Sequence, residues 1–333
     1  MRSAAQRFAR LHLSVHSRRT YDVGVMAFTR FATFFRPGEP VFPASDSALQ
    51  EFVAFQSQSC AYGTLKNYIY GVREYHLAQG LPFAPLAERV GVYWALKGVR
   101  RVHGRPSQPK QALTFEVLQQ VHRHATQHGP LEGDEHTVFT AMLVGMFGLL
   151  RKDNLCPGKT RAAHAGAHLR RGDVAFGTLA DGTKVAWLRL RRSKTNQFGE
   201  RALLVPLLEI GGPLCPVTAL RKHMADVMAP PDSPLFMAKP AGGRRPVAMT
   251  HRFFVARMKR MLGAAGLEPA RFAGHSLRRG GATLAFRLGC ARHLIQAHGD
   301  WLSDVVDRYN EMGPEARLNL PRALARFVAT LRP

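Results

Sequence analysis

Acidic residues are scarce in this chain. Its 333 residues hold 23 Asp and Glu against 47 Lys and Arg, a formal net charge of +24. So one-sided a balance exceeds what solubility needs and points to a polyanionic partner, most simply nucleic acid. Ribosomal and membrane-surface proteins share the bias, so charge alone names only the class of partner. Cysteine is scarcer still. Cys60, Cys156, Cys215 and Cys290 are scattered, with no Cys-x-x-Cys and no Cys/His cluster at zinc-ligand spacing. They read as buried or free thiols of a reducing compartment, and no metal is expected. No apolar run is long enough to span a bilayer, no secretory signal is read, and no membrane partner is expected. A hydrophobic share of 46% excludes a disordered basic tail. The length allows two domains of ordinary size.

What is present is patterned. From Ser17 to Phe35, Tyr21, Val25, Phe28, Phe31 and Phe34 recur at three- and four-residue steps, which predicts an amphipathic helix. Similar stretches run from Asp46 to Gln56 and from Tyr62 to Leu77, before Gly80 and Pro82 break the pattern. Residues 1–100 are therefore expected to be all-helical, with Arg18, Arg19, Lys66 and Arg73 among the exposed positions. Arg2, Arg7, Arg10, Arg18 and Arg19 precede the first acid, Asp22. That composition is transit-peptide-like, but patterning that starts near Ser14 favours a basic first helix lying on DNA. Arg100 to Gln111 (RRVHGRPSQPKQ) is basic, holds Gly104, Pro106 and Pro109, and reads as a linker. The expected division is a helical domain over 1–100, a basic linker over 101–111 and a second domain over 112–333.

The second domain opens with Thr114 as a helix N-cap. Val138 to Leu150 (VFTAMLVGMFGLL) is apolar all round, so it is expected at the centre of its core. It ends abruptly at Arg151-Lys152-Asp153-Asn154, leaving Arg151 at the mouth of that core. A β section follows. Asp173 to Leu179 and Lys184 to Arg192 flank the turn signal Asp181-Gly182, and Arg201 to Pro206 makes a third strand. The polar turn Ser193 to Gly199 puts Lys194 at a hairpin tip. Pro216 suits the first turn of a helix from Val217 to Met228. Thr250 caps a basic amphipathic helix whose inner face is Phe253, Phe254, Met258, Met261 and Leu262. Ser276 to Leu288 forms a helix closed by Gly289, and Gly280-Gly281 within it admit another backbone. A short helix, Ala291 to His298, then leads to Ser303–Asn310, and a final helix is expected over Pro321 to Leu331.

The chemistry gathers late in the chain. His275 and Arg278, three positions apart at a helix start, project from one face and can converge on one anion. Tyr309 offers a hydroxyl nucleophile. Taken one at a time, these are a cap, a surface charge and a packed ring. The ordered series Arg151, Lys194, His275-x-x-Arg278 and Tyr309, ten positions past Gly299, carries far more.

In that order and context the chain resembles the tyrosine recombinases, the phage-integrase family, over essentially its whole length. Its wording is nearest the eukaryotic DIRS-like and Crypton-like transposon branch: Phe147-Gly-Leu-Leu-Arg-Lys-Asp-Asn-Leu155, Ser193-Lys-Thr-Asn-Gln197, Leu214-Cys-Pro-Val217 and Gly299-Asp-Trp301. The resemblance implies a mainly α fold with a small antiparallel β-sheet, made of an all-helical core-binding domain and an α+β catalytic domain. It implies that Tyr309 attacks a scissile phosphate, that Arg151 and Arg278 clamp its non-bridging oxygens and that Lys194 protonates the leaving 5′-oxygen. His275 would then be a hydrogen-bond donor or base near the tyrosine. No metal or other cofactor and no small-molecule substrate is implied. The partners would be double-stranded DNA and further copies of the chain, as a homotetramer on two DNA sites, in the nucleus.

Two positions depart from the family's pattern. Asp300 stands directly after the glycine where a His or Trp is usual, so Trp301 or His298 is expected to fill that role and Asp300 to turn away from a bound phosphate. Asn154 replaces the usual acid after the first arginine, and it or Asp153 is expected to buttress Arg151. The expected function is a site-specific recombinase or integrase of a mobile element. A type IB topoisomerase-like enzyme and a domesticated, inactive DNA-binding protein are the alternatives.

Overall fold

The computed structural model describes residues 8, 11–104, 110–158, 168–238, 245–309 and 321–322. The chain divides into two compact units, Met1–Gln108 and Pro109–Pro333. Arg2, Arg7 and Arg10, and the expected final helix beyond Arg322, lie outside the described residues.

Helices α1 (Val15–Phe35), α2 (Asp46–Gln56), α3 (Tyr62–Ala78) and α4 (Val90–Val102) build the first unit. Serines start the first two: Ser14 Oγ accepts from the Ser17 N–H at 3.1 Å, and Ser45 Oγ from the Ala48 N–H at 3.2 Å, satisfying donors that a helix start otherwise leaves open. The inner faces of α1 to α3 meet through Phe28, Phe31, Leu49, Phe52, Leu65, Ile69 and Val72, all buried. Phe28 and Phe52 pack edge to face with centroids 5.4 Å apart. Helices α1 and α3 cross at glycine. A Cβ on Gly24 would sit 2.6 Å from Tyr68 Cα, and one on Gly71 would sit 2.5 Å from the Tyr21 carbonyl oxygen.

Helix α4 is not among the elements read from periodicity, although Val92 and Leu96 are buried on it. It continues through Arg100, Arg101 and Val102. The start of the basic segment is therefore helical, because the apolar face of α4 still packs on the core at Val99. Of the four basic residues expected at the surface of this unit, Arg19 is exposed while Arg18, Lys66 and Arg73 are half-buried.

The second unit is organised around α6. After α5 (Phe115–Ala125), α6 (Gly133–Phe147) is buried at every position from Thr137 to Met146. It touches α8 (Pro216–Asp226), α9 (His251–Ala264), α10 (Ser276–Arg287) and the short strand β4 (Met237–Ala238). Burying a Val, Leu or Met side chain contributes roughly 1.5–3 kcal/mol, so this helix is a rigid base for whatever follows it. Its buried threonines do not orphan their hydroxyls: Thr137 donates to the Gly133 carbonyl at 3.1 Å and Thr140 to the His136 carbonyl at 2.8 Å.

Strands β1 (Val174–Thr178), β2 (Lys184–Leu190) and β3 (Leu203–Leu208) form an antiparallel sheet with β2 in the middle. Register pairs Phe176 with Ala186 and Leu188 with Val205. Leu188 and Leu190 are buried while Trp187 and Arg189 face outward, the period-two pattern of a half-covered strand. Gly182, at φ 85°, makes the β1–β2 turn, where the Asp181 carboxylate accepts from the Thr183 N–H at 2.9 Å. β4 pairs with β5 (Val247–Ala248). The fold is thus mainly helical with a small antiparallel sheet, as expected.

Candidate active site

Arg151 stands where the buried helix stops. After α6, Leu149 adopts φ 48°, a left-handed conformation that costs a branched side chain about 1 kcal/mol. It is held because Leu149 is buried in a small apolar cluster with Ala282, Ile295, Trp301 and Val306. This turn delivers Arg151 to the start of the short helix α7 (Lys152–Leu155). There the Asn154 side-chain oxygen accepts from the Arg151 N–H at 3.2 Å. Asn154 thus caps the turn that carries Arg151. Asp153 instead faces His251, with Oδ1 3.1 Å from Nε2.

Helix α10 carries His275 at its N-cap and Arg278 in its first turn. It packs very close to the core: a Cβ on Gly280 would lie 1.8 Å from the Leu113 carbonyl oxygen, and one on Gly281 2.1 Å from that of Met146. That approach sinks Arg278 to 2% exposure. Its terminal nitrogens donate to the Leu149 and Gly299 carbonyls, and its guanidinium lies 3.5 Å from the centroid of the buried Trp301 ring. Carbonyl oxygens and an aromatic face are what a desolvated guanidinium requires. His275 has an accessible edge and packs on its other side. That packing, and then the charges of Arg278, Arg151, Arg279 and Lys194, push its imidazole down to about 4.

The Gly299-Asp300-Trp301 step separates its candidates by what each touches. Trp301 stacks on Arg278. His298 donates from Nε2 to the Phe147 carbonyl at 3.0 Å and is held below the ordinary histidine range, first by burial. Asp300 is not turned away from the cluster. At φ 55° and 6% exposed, its carboxylate faces Arg151, with Oδ2 3.6 Å from Nη1, while Arg151 Nη2 donates to the Asp300 carbonyl at 3.2 Å. The reason is local charge: Arg201 also donates to Asp300 Oδ1 at 2.6 Å, and an acid is stabilised between two guanidinium groups.

Lys194 lies in the loop between β2 and β3, exposed, while its neighbours are anchored. The Ser193 hydroxyl donates to Asp300 Oδ2 at 2.5 Å and the Thr195 hydroxyl donates to the same oxygen. Asn196 donates to the carbonyls of Arg191, at 3.3 Å, and Arg201. The Ser-Lys-Thr-Asn string is thus three ties around one outward lysine, whose charge is felt at His275. Arg151, His275, Arg278, Trp301 and this loop come together from segments far apart in sequence. The backbone of Tyr309 closes a 3-10 turn, Asp304–Tyr309, and its side chain lies outside the described residues. Sequence reasoning missed Arg201 and the use of Asp300. Short polar residues on both sides of Lys194 were the available signal.

The first unit presents a different surface. Helix α4 exposes Tyr93, Trp94, Lys97, Arg100 and Arg101, with Lys97 4.6 Å from the Tyr93 ring centroid and Arg100 5.6 Å from that of Tyr62. Among the described residues no group of three or more His, Cys, Asp or Glu could hold a metal ion, and no helix is long and apolar enough to cross a membrane.

No protein-family model matches this chain, and no match was found among curated proteins. Solved structures do resemble it. A XerH site-specific recombinase bound to a palindromic difH substrate in a post-cleavage complex superposes with a TM-score of 0.60 at 16% identity, over 91% of this chain and 78% of that one. A Tn1549 transposon integrase in complex with transposon right-end DNA gives 0.58 at 13% identity, over 97% and 98%. A lambda integrase tetramer bound to a Holliday junction gives 0.54 at 14% identity, over 92% and 75%. The fold is that of the tyrosine recombinases, including their catalytic domain.

Proposed function

We propose that this chain is a DNA strand transferase of the tyrosine-recombinase kind, which cuts and rejoins double-stranded DNA through a covalent link to Tyr309. The observation that carries the reading is the convergence of Arg151, His275, Arg278 and the Lys194 loop around the turn that leads to Tyr309. In the reaction the Tyr309 oxygen attacks phosphorus. The new P–O bond forms as the bond to the 5′-oxygen breaks, leaving a 3′-phosphotyrosyl end and a free 5′-hydroxyl. His275 is the hydrogen-bond donor or base near the phenol, whose proton leaves to it or to solvent, and Lys194 gives one to the 5′-oxygen. Arg151 and Arg278 stabilise the charge that grows on the non-bridging oxygens. These cations do what a metal ion would otherwise do, so the reaction is read as needing no metal or other cofactor. The link keeps the energy of the phosphodiester, and attack by a 5′-hydroxyl reverses it without ATP.

Arg278, with each terminal nitrogen on a backbone carbonyl, is held in place by the fold and keeps further N–H donors for a phosphate oxygen. The first unit serves as the DNA clamp, with α4 along the phosphate backbone. A homotetramer acting on two DNA sites, a role in mobile-element integration within the transposon branch, and a nuclear site of action complete the proposal. They rest on the sequence resemblance, and the DNA-bound recombinases of the same fold lend the DNA partner support.

A nicked suicide duplex, whose short cleaved strand diffuses away, tests the reading. The wild-type protein should accumulate a covalent protein–DNA adduct that Tyr309→Phe does not form. Absence of adduct from wild type defeats the enzyme reading and leaves a DNA-binding protein.

A further inference from the structure

We propose that Asp300 is a positioning residue, tying the loop of Lys194 to Arg151 so that the lysine reaches the leaving oxygen. This rests on the strand-transferase reading above. Three segments meet on one buried carboxylate. From the β2–β3 loop come the Ser193 and Thr195 hydroxyls and the Arg201 guanidinium. From the end of α6 comes Arg151, bound to both the side chain and the carbonyl of Asp300. Asp300 itself belongs to the turn that leads to the 3-10 segment ending in Tyr309.

The loop's geometry follows from these ties. Ser193 and Thr195 flank Lys194, and both reach the same carboxylate oxygen. The segment is a turn, closed by the Ser193 and Asn196 backbones bonding to each other in both directions at 3.2 Å, and Lys194 at its tip is exposed. Fixing both neighbours restricts where the lysine can reach, and a proton donor works only when so placed. A carboxylate removed from water is tolerated when charge and hydrogen bonds compensate it. Asp300 has both, and it accepts a left-handed backbone, at φ 55°, that few residues other than Gly, Asn and Asp adopt. The departure from a His or Trp at this position thus has a use: the carboxylate faces the protein's own arginine and loop.

Asp300→Asn keeps the backbone preference and one acceptor while removing the charge, and Asp300→Ala removes both. Each is compared with wild type and Lys194→Ala on two nicked suicide duplexes. One is ordinary DNA. The other has sulfur in place of the bridging 5′-oxygen, so that a thiolate (thiol pKa about 8.5) leaves without needing a proton. Thermal melting confirms that each variant is folded. On ordinary DNA, Lys194→Ala should slow adduct formation by about 100-fold or more and Asp300→Ala by at least about tenfold, with Asp300→Asn between Asp300→Ala and wild type. On the sulfur duplex all three should return to within about fivefold of wild type. In the free protein, tryptic cleavage after Lys194 should be faster in Asp300→Ala than in wild type. Equal losses on both duplexes, or unchanged cleavage after Lys194, overturn the proposal while leaving the strand-transferase reading standing. No adduct from wild type on either duplex overturns both.

Discussion

The two units of this chain bury different things. Among the described residues the first buries one polar side chain, His76, under a core of phenylalanine, leucine and valine. The second buries Arg171, Asp173, Arg278 and Asp300 as well as its apolar helix. Charge is removed from water only where partners have been assembled for it, here backbone carbonyls, an indole face and one carboxylate. A unit that keeps its charges outside can bind a polyanion through contacts that salt screens. A unit that sinks them can act on charge developing in a reaction, where a low dielectric strengthens each interaction. Under the proposed function, the difference gives affinity to the first unit and chemistry to the second.

The sharpest way to break this division is to remove one buried group from each side. Arg278→Ala should lower adduct formation by about 10²-fold or more. It should also destabilise the second unit by about 3–5 kcal/mol, since it deprives two carbonyls and Trp301 of their partner. Phe52→Ala should cost a similar 3–5 kcal/mol or so by opening a cavity in the first unit, yet weaken DNA binding without slowing cleavage on DNA already bound. Urea unfolding and single-turnover cleavage separate the two. A cleavage defect at saturating DNA in Phe52→Ala would contradict the division.

Acid sharpens it further. Burial, first, holds His76 below the ordinary histidine value and His223 down at about 4. A histidine kept neutral in the fold contributes fully above its unfolded value of about 6.5, and that contribution is lost as the pH falls towards the folded one. His223 alone should therefore cost the second unit roughly 2 kcal/mol between pH 7 and pH 5. The second unit also holds His298 and His136 in the same lowered direction, so it should lose more stability on acidification than the first. Unfolding midpoints at the two pH values check this, and equal losses would count against the assignment.

The smallest expected effect lies on the outer face of α4. Lys97→Ala and Arg101→Ala should each reduce the slope of log affinity against log salt by about 1, with little change in stability. An unchanged slope would mean that these charges are only solvated.

The helices were legible where a face repeats. Phe28, Phe31, Phe52 and the VFTAMLVGMFGLL run announce both cores through period and uninterrupted apolarity. Helix α4 was not, because its end is so rich in arginine that it reads as linker, and only packing at Val99 shows the helix continuing. Within the site, Arg151, Lys194, His275 and Arg278 were legible as residue types in order. The burial of Arg278 was not, since an arginine in a sequence carries no sign that two distant carbonyls await it. The partners of Asp300 were not legible for the same reason. Its orientation depends on Arg201 and on a left-handed backbone, neither of which follows from neighbouring residues.

The central claim is that Tyr309 becomes joined to DNA, and peptide mapping of the trapped adduct tests it most directly. The account predicts a single modified peptide with the 3′-phosphate of DNA on Tyr309, and a free 5′-hydroxyl on the released strand. A link at any other residue, or a 5′-phosphate on the released strand, would contradict it.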